Sequence, residues 1–240
     1  MRVFFIATLV TLLFVALQRP AAGQDTNAPA AVSAKDSAPV DLTGYWVSFV
    51  TEDWRFRMVT PRKGDYPMVP MTDQAKKVAD AWDPAADEAA GNQCKAYGAG
   101  AIMRVAGRFH ITWQDDNTLR IDSDAGMQTR LFHFSSRPSP PGERTWQGYS
   151  TAQWEKPGGL KVTTTNLRSG YVRKNGVPYS EKAAVTEYFD IAPLPSGGQA
   201  LMVTTVVDDP LYLQTPFIVS SQFKKEADGS KWDPTPCTAK

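Results

Sequence analysis

Residues 144–166, RTWQGYSTAQWEKPGGLKVTTTN, hold two extended runs, 148–154 and 160–165, on either side of Pro157-Gly158-Gly159. Period-two alternation interrupted by a short glycine turn specifies an antiparallel hairpin. The same grammar recurs around it. Extended runs at 101–105, 109–113, 119–122 and 127–134 are separated by Gly107, Asp115-Asp116-Asn117 and Ala125-Gly126. Further runs at 184–190, 200–207 and 217–225 follow a loop carrying a Lys174-Asn175-Gly176 turn. Turns this close together predict a meander whose neighbours in sequence are neighbours in the sheet. About ten strands with few helices call for closure or strong curvature, since a closed sheet leaves no unpaired edge. Trp46, Trp113, Trp146, Trp154 and Trp232 keep no constant interval, which weighs against propeller blades.

The first strand is expected within 41–50. A second is expected at 54–59, where apolar and basic residues alternate and place Arg55 and Arg57 on one face. These two arginines are either a convergent anion-binding pair or two solvated surface groups. After a proline-rich loop at 61–70 the period becomes helical, with Ala75, Val78, Ala79 and Trp82 on one face and Thr72 as cap. Asp83-Pro84 supplies the cap and first residue of another short helix, which Gly91 stops.

The amino terminus follows a different logic. Met1-Arg2, an apolar run at 3–17 and small residues ending at Gly23 read as an export signal, too short in its apolar part for the ~20 residues that span a bilayer. Residues 24–40, rich in Ala, Ser, Asp and Pro, read as a flexible leader to a single β-barrel-like domain over 41–240. With 42% hydrophobic residues in 240, the chain can bury one sizeable core. Cleavage after Gly23 removes Arg2 and Arg19 and takes the formal charge from +1 to −1. A near-neutral chain without a basic block has little to offer a phosphate backbone, so nucleic acid is not an expected partner. The expected location is the periplasm or the exterior, with no stable membrane span after processing. In such a compartment Cys94 and Cys237 are expected to form a disulfide, the alternative being two unpaired thiols.

Candidate chemistry gathers on three residues. In 128–134, alternation sends Gln128, Arg130, Phe132 and Phe134 to one face and Thr129, Leu131 and His133 to the other. Arg130 between aromatics can clamp a carboxylate or stabilise a developing anion, or it can form a structural pair with Glu187 or Glu155. Glu187 is a candidate base that divides the work with Arg130 if their strands are partners, and His133 is a second candidate base. Tyr149, Asn166 and Trp146 are candidate ligand-binding residues beside Arg55 and Arg57. His133, Asp122 and Asp124 lack HxH or HExxH spacing, so no metal is expected, and no cofactor is implied.

Trp146-Gln147-Gly148-Tyr149-Ser150, Trp154-Glu155, Thr164-Thr165-Asn166, Pro178-Tyr179-Ser180 and Asp209-Pro210 resemble a family of exported bacterial proteins with a W-x-G-x-S-x-x-x-W-E block. The resemblance spans roughly 94–237. Glu187 matches the glutamate of the family's glutamate-arginine pair, but Tyr188 replaces the arginine. Gly44-Tyr45-Trp46 is similar to the Gly-x-Trp of the first lipocalin strand, which implies a barrel for small ligands. The expected fold is therefore all-β: an antiparallel lipocalin-like (calycin-type) barrel or strongly curved sheet with short N-terminal helices. Three functions stay open: a protein binding a small, largely apolar or aromatic molecule in an aromatic-lined cavity, a cofactor-independent lyase, isomerase or hydrolase using that cavity, and an envelope structural or interaction protein.

Overall fold

A computed structural model describes residues 32–135 and 142–240, so the expected export signal and residues 24–31 of the expected leader lie outside the described residues. In chain order the elements are β1 (Gly44–Ser48), α1 (Trp54–Arg57), α2 (Asp73–Asp80), α3 (Pro84–Ala89), β2 (Arg108–Asp115), β3 (Thr118–Ser123) and β4 (Ala125–Gly126). They continue with β5 (Gln128–His133), β6 (Tyr149–Glu155), β7 (Gly159–Thr165), β8 (Gly170–Arg173), β9 (Val177–Tyr179), β10 (Ala184–Pro193), β11 (Gln199–Asp208), β12 (Phe217–Glu226) and β13 (Thr235–Pro236). Nine strands close into a barrel in the order β1-β2-β3-β5-β6-β7-β10-β11-β12, with β12 returning to β1. The meander expected from the turns is therefore present, interrupted by an outside hairpin of β8 and β9.

Nine is an odd number, and strands that alternate up and down cannot close on themselves without one parallel contact. That contact is between β5 and β6, where Phe132 lies opposite Ser150 and His133 opposite Thr151. Every other contact around the barrel is antiparallel.

Two expected strands are turns of helix instead. Residues 101–105 form a 3-10 turn over Ile102–Arg104, all three buried, so the run has no solvent face to alternate against. Residues 54–59 hold α1, closed by the Met58 amide donating to the Trp54 carbonyl at 2.9 Å. The apolar-basic alternation there has no strand to pair with, and its second arginine is drawn inward by the Arg104 carbonyl. The later helices start as expected: the Thr72 hydroxyl accepts from the Ala75 amide, and the Asp83 carboxylate accepts from the Ala85 and Ala86 amides. The described part of the leader is not loose. Ala34 and Lys35 bond to the β2–β3 turn, and the Trp154 indole donates to the Ala34 carbonyl at 2.8 Å.

Inward residues form two apolar cores. One centres on Trp46, Phe109, Phe132, Phe189 and Phe223, while the other joins Val185, Val207 and Phe217 to Tyr179, Leu167 and α2 at the end covered by β8 and β9. Between them runs a belt of inward polar residues, Arg130, Ser150, Thr164, Glu187, Thr205 and Ser221, all buried. The expected disulfide is present: Cys94 and Cys237 are joined across 143 residues of sequence.

Candidate anion-binding site

Within the belt, Arg130 reaches from β5 past β6 and β7 to Glu187 on β10, so their strands are not partners and the side chains meet across the interior. The guanidinium donates through Nη1 to Oε1 at 2.9 Å and through Nη2 to Oε2 at 2.5 Å, and also to the Thr164 hydroxyl at 3.3 Å. Ser150 and Thr164 share a 2.7 Å hydroxyl contact. The Tyr179 hydroxyl sits so near the backbone that a Cβ at Gly98 or Gly170 would overlap it. Burial pushes its pKa up, against the opposing field of Arg130. With exposures of 2% and 0%, Arg130 and Glu187 form a buried ion pair that leaves only Nε of the Arg130 guanidinium without a partner among the described residues.

The other expected site residues do not join them. His133 lies on the outer side of β5 and stacks on Tyr149 at 4.9 Å, because strict alternation opposes it to Arg130. Trp146 donates to the Ser169 carbonyl at 3.2 Å beneath the Arg168 guanidinium. Asn166 turns the chain after β7 with a left-handed φ of 55°. Arg55 points outward to Asp65 at 2.7 Å.

Arg57 is the exception. It comes from α1 to meet Arg104 of the buried 3-10 turn and Arg173 at the end of β8, and the three line one cavity of about 190 Å³ with Phe56, Met58 and Val172. Each is at least nine-tenths buried. Arg57 Nε donates to the Arg104 carbonyl at 3.0 Å, Arg104 Nη1 to Asp53 at 2.8 Å, and Arg173 Nη1 to the Pro67 carbonyl at 2.9 Å. Both Nη atoms of Arg57, Nη2 of Arg104, and Nε and Nη2 of Arg173 are buried without a hydrogen-bond partner among the described residues. Phe56 lies under the Arg173 guanidinium at 4.3 Å.

Buried cations whose charge is only partly offset oppose folding. Burial, then the neighbouring Arg104, lowers the pKa of Arg57, and the same two causes push Arg173 down to about 10. A guanidinium that holds its proton less tightly in the folded than in the unfolded chain penalises folding fully below about pH 10 and releases that penalty only as pH rises above it. An anion in the cavity would remove the penalty at neutral pH.

Arg104 and Arg173 were not singled out by sequence reasoning. The one available signal was Arg104 set inside the apolar run Ala101-Ile102-Met103-Arg104-Val105; Arg173, beside a turn, gave none. Among the described residues no group of three or more His, Cys, Asp or Glu is placed to hold a metal ion. The fold and cavity thus define a closed nine-stranded β-barrel with a buried arginine pocket at its covered end. No protein family, curated protein or solved structure matches the chain.

Proposed function

We propose that this is a small-molecule-binding protein whose ligand carries an acidic group held by Arg57, Arg104 and Arg173. The observation that carries the reading is that three buried arginines line one cavity and that five of their guanidinium nitrogens have no hydrogen-bond partner among the described residues. Phe56, Met58, Val105 and Val172 take the apolar part of the ligand. At about 190 Å³ the cavity is smaller than the ~300 Å³ at which drug-sized sites begin, so the ligand is small. The disulfide supports work in an oxidising compartment, the periplasm or outside the cell. An enzyme built on Arg130 and Glu187 has less support, because the two are paired with each other through both Nη atoms and lie away from solvent.

Calorimetric titration tests the reading with benzoate and phenyl phosphate as acidic probes and benzyl alcohol as the neutral one. At least one acid is expected to bind and the alcohol not. In Arg57→Met that binding is expected to fall at least tenfold, while the free protein keeps its stability or gains about 1 kcal/mol from losing an unpaired buried cation. Equal binding to the variant would remove the pocket from consideration.

A further inference from the structure

The geometry points to a more specific ligand: we infer that the pocket takes a dianionic tetrahedral oxyanion, the phosphoryl group of a small monoester or free phosphate, in preference to a carboxylate. This rests on the anion-binding reading above and deepens it. Its first support is the pattern of donors left over. Arg57 keeps its whole Nη1/Nη2 fork, Arg173 its whole Nε/Nη2 fork, and Arg104 a single Nη2. A guanidinium fork donates two parallel bonds to a pair of oxygens. A carboxylate has two oxygens, so one fork fills its open edge and a second fork must crowd onto the lone pairs that remain. A phosphoryl group presents three terminal oxygens and three such edges, which accommodates two forks and a further single donor.

The second support is charge. Asp53 is the one carboxylate bonded to any of the three arginines among the described residues, and it occupies only Nη1 of Arg104. Arg57 and Arg173 are anchored through neutral carbonyls and so have no bonded counter-charge. Glu52 and Asp53 act on Arg57 electrostatically, and Asp53 and Asp65 on Arg173, but none of the three lines the cavity; Lys174, which does, directs its ammonium to the Tyr97 hydroxyl at 2.9 Å. Two guanidinium charges without a bonded counter-charge are matched by a dianion and only half matched by a carboxylate. The third support is the wall itself. Its apolar residues, Phe56, Met58, Val105 and Val172, offer a surface for a compact organic group attached to the oxyanion.

The same calorimetry separates shape from charge by comparing phenyl phosphate, phenyl sulfate, benzoate and inorganic phosphate on the full chain. Phenyl phosphate at pH 7.5 is expected to bind at least tenfold more tightly than benzoate. Its affinity is expected to fall about tenfold by pH 5, as a group with a second pKa near 6 takes up its proton. Phenyl sulfate, tetrahedral but singly charged at both pH values, is expected to be weaker than phenyl phosphate and unchanged between them. Inorganic phosphate binding as tightly as phenyl phosphate upholds the oxyanion assignment and makes free phosphate the ligand; weaker binding upholds it with a monoester as ligand. Benzoate binding as tightly as phenyl phosphate, or a flat pH profile for phenyl phosphate, overturns the assignment and leaves the anion site standing. Phenyl phosphate binding retained by Arg57→Met overturns the assignment of the oxyanion to this pocket. Binding by none of the acids overturns both readings.

Discussion

Glu187→Ala is expected to destabilise the fold by about 3–5 kcal/mol, because it leaves the Arg130 guanidinium charged and unpaired between two apolar cores. Breaking such a pair costs far more than the pair is worth, since the surviving ion keeps its desolvation penalty and loses the partner that offset it. The double change Arg130→Met with Glu187→Leu removes both charges and is expected to restore stability to within about 2 kcal/mol of the original. Urea unfolding monitored by tryptophan fluorescence reads all three proteins. A loss below about 1 kcal/mol for Glu187→Ala would show that water reaches the pair, contrary to its burial.

Loss of the Cys94–Cys237 bond is expected to lower stability by up to about 5 kcal/mol, the value that chain entropy assigns to a closed loop of this length. The bond does more than restrict the unfolded chain. Cys94 precedes the 3-10 turn Lys95–Tyr97, and Cys237 follows β13, which is attached to β4 by only two residue pairs. Without the bond the carboxyl-terminal tail is held by hydrogen bonds from Thr235 to Asp124, between Thr238 and the Tyr97 hydroxyl, and from Lys174 to Lys240. Thermal unfolding of the Cys94→Ser, Cys237→Ser protein checks the magnitude. An unchanged melting temperature would mean that the denatured chain is already compact enough for the crosslink to restrict nothing further.

What the sequence made legible follows from what is periodic. Strands with one inward and one outward face announce themselves, so β2, β3, β5 to β7 and β10 to β12 coincide with the alternating runs. The same alternation sent Arg130 inward and His133 outward before any neighbour was known. It misled at 54–59 and 101–105. At 101–105 all residues but Val105 are buried without a sheet and leave no period to read, while at 54–59 Trp54, Met58 and Val59 stay exposed and only Arg57 is buried, so the alternation there marks no packed face. The arginine pocket was harder for a different reason. Its arginines stand at 57, 104 and 173, on three elements that only barrel closure and the β8–β9 hairpin bring together. Arg57 was a candidate because it shared a run with Arg55, yet the two separate, one to Asp65 in solvent and the other to the cavity. Nothing local distinguishes an arginine whose partner is missing from one whose partner lies a hundred residues away.

The parity of the barrel has a mechanical outcome. Most of its joints are zipped along several residues, six between β3 and β5 and seven between β6 and β7, but the β5–β6 joint has only two. Main-chain stitching is sparsest there, and Arg130 lies across that gap from the inside, anchored on β5 and gripping Thr164 and Glu187 beyond it. The side chain acts as a latch on the weakest stave of the cask. With the latch in place, amides on both sides are expected to exchange their hydrogens slowly. In Glu187→Ala the amides of 149–152 are expected to exchange first, marking the joint at which the wall opens to water.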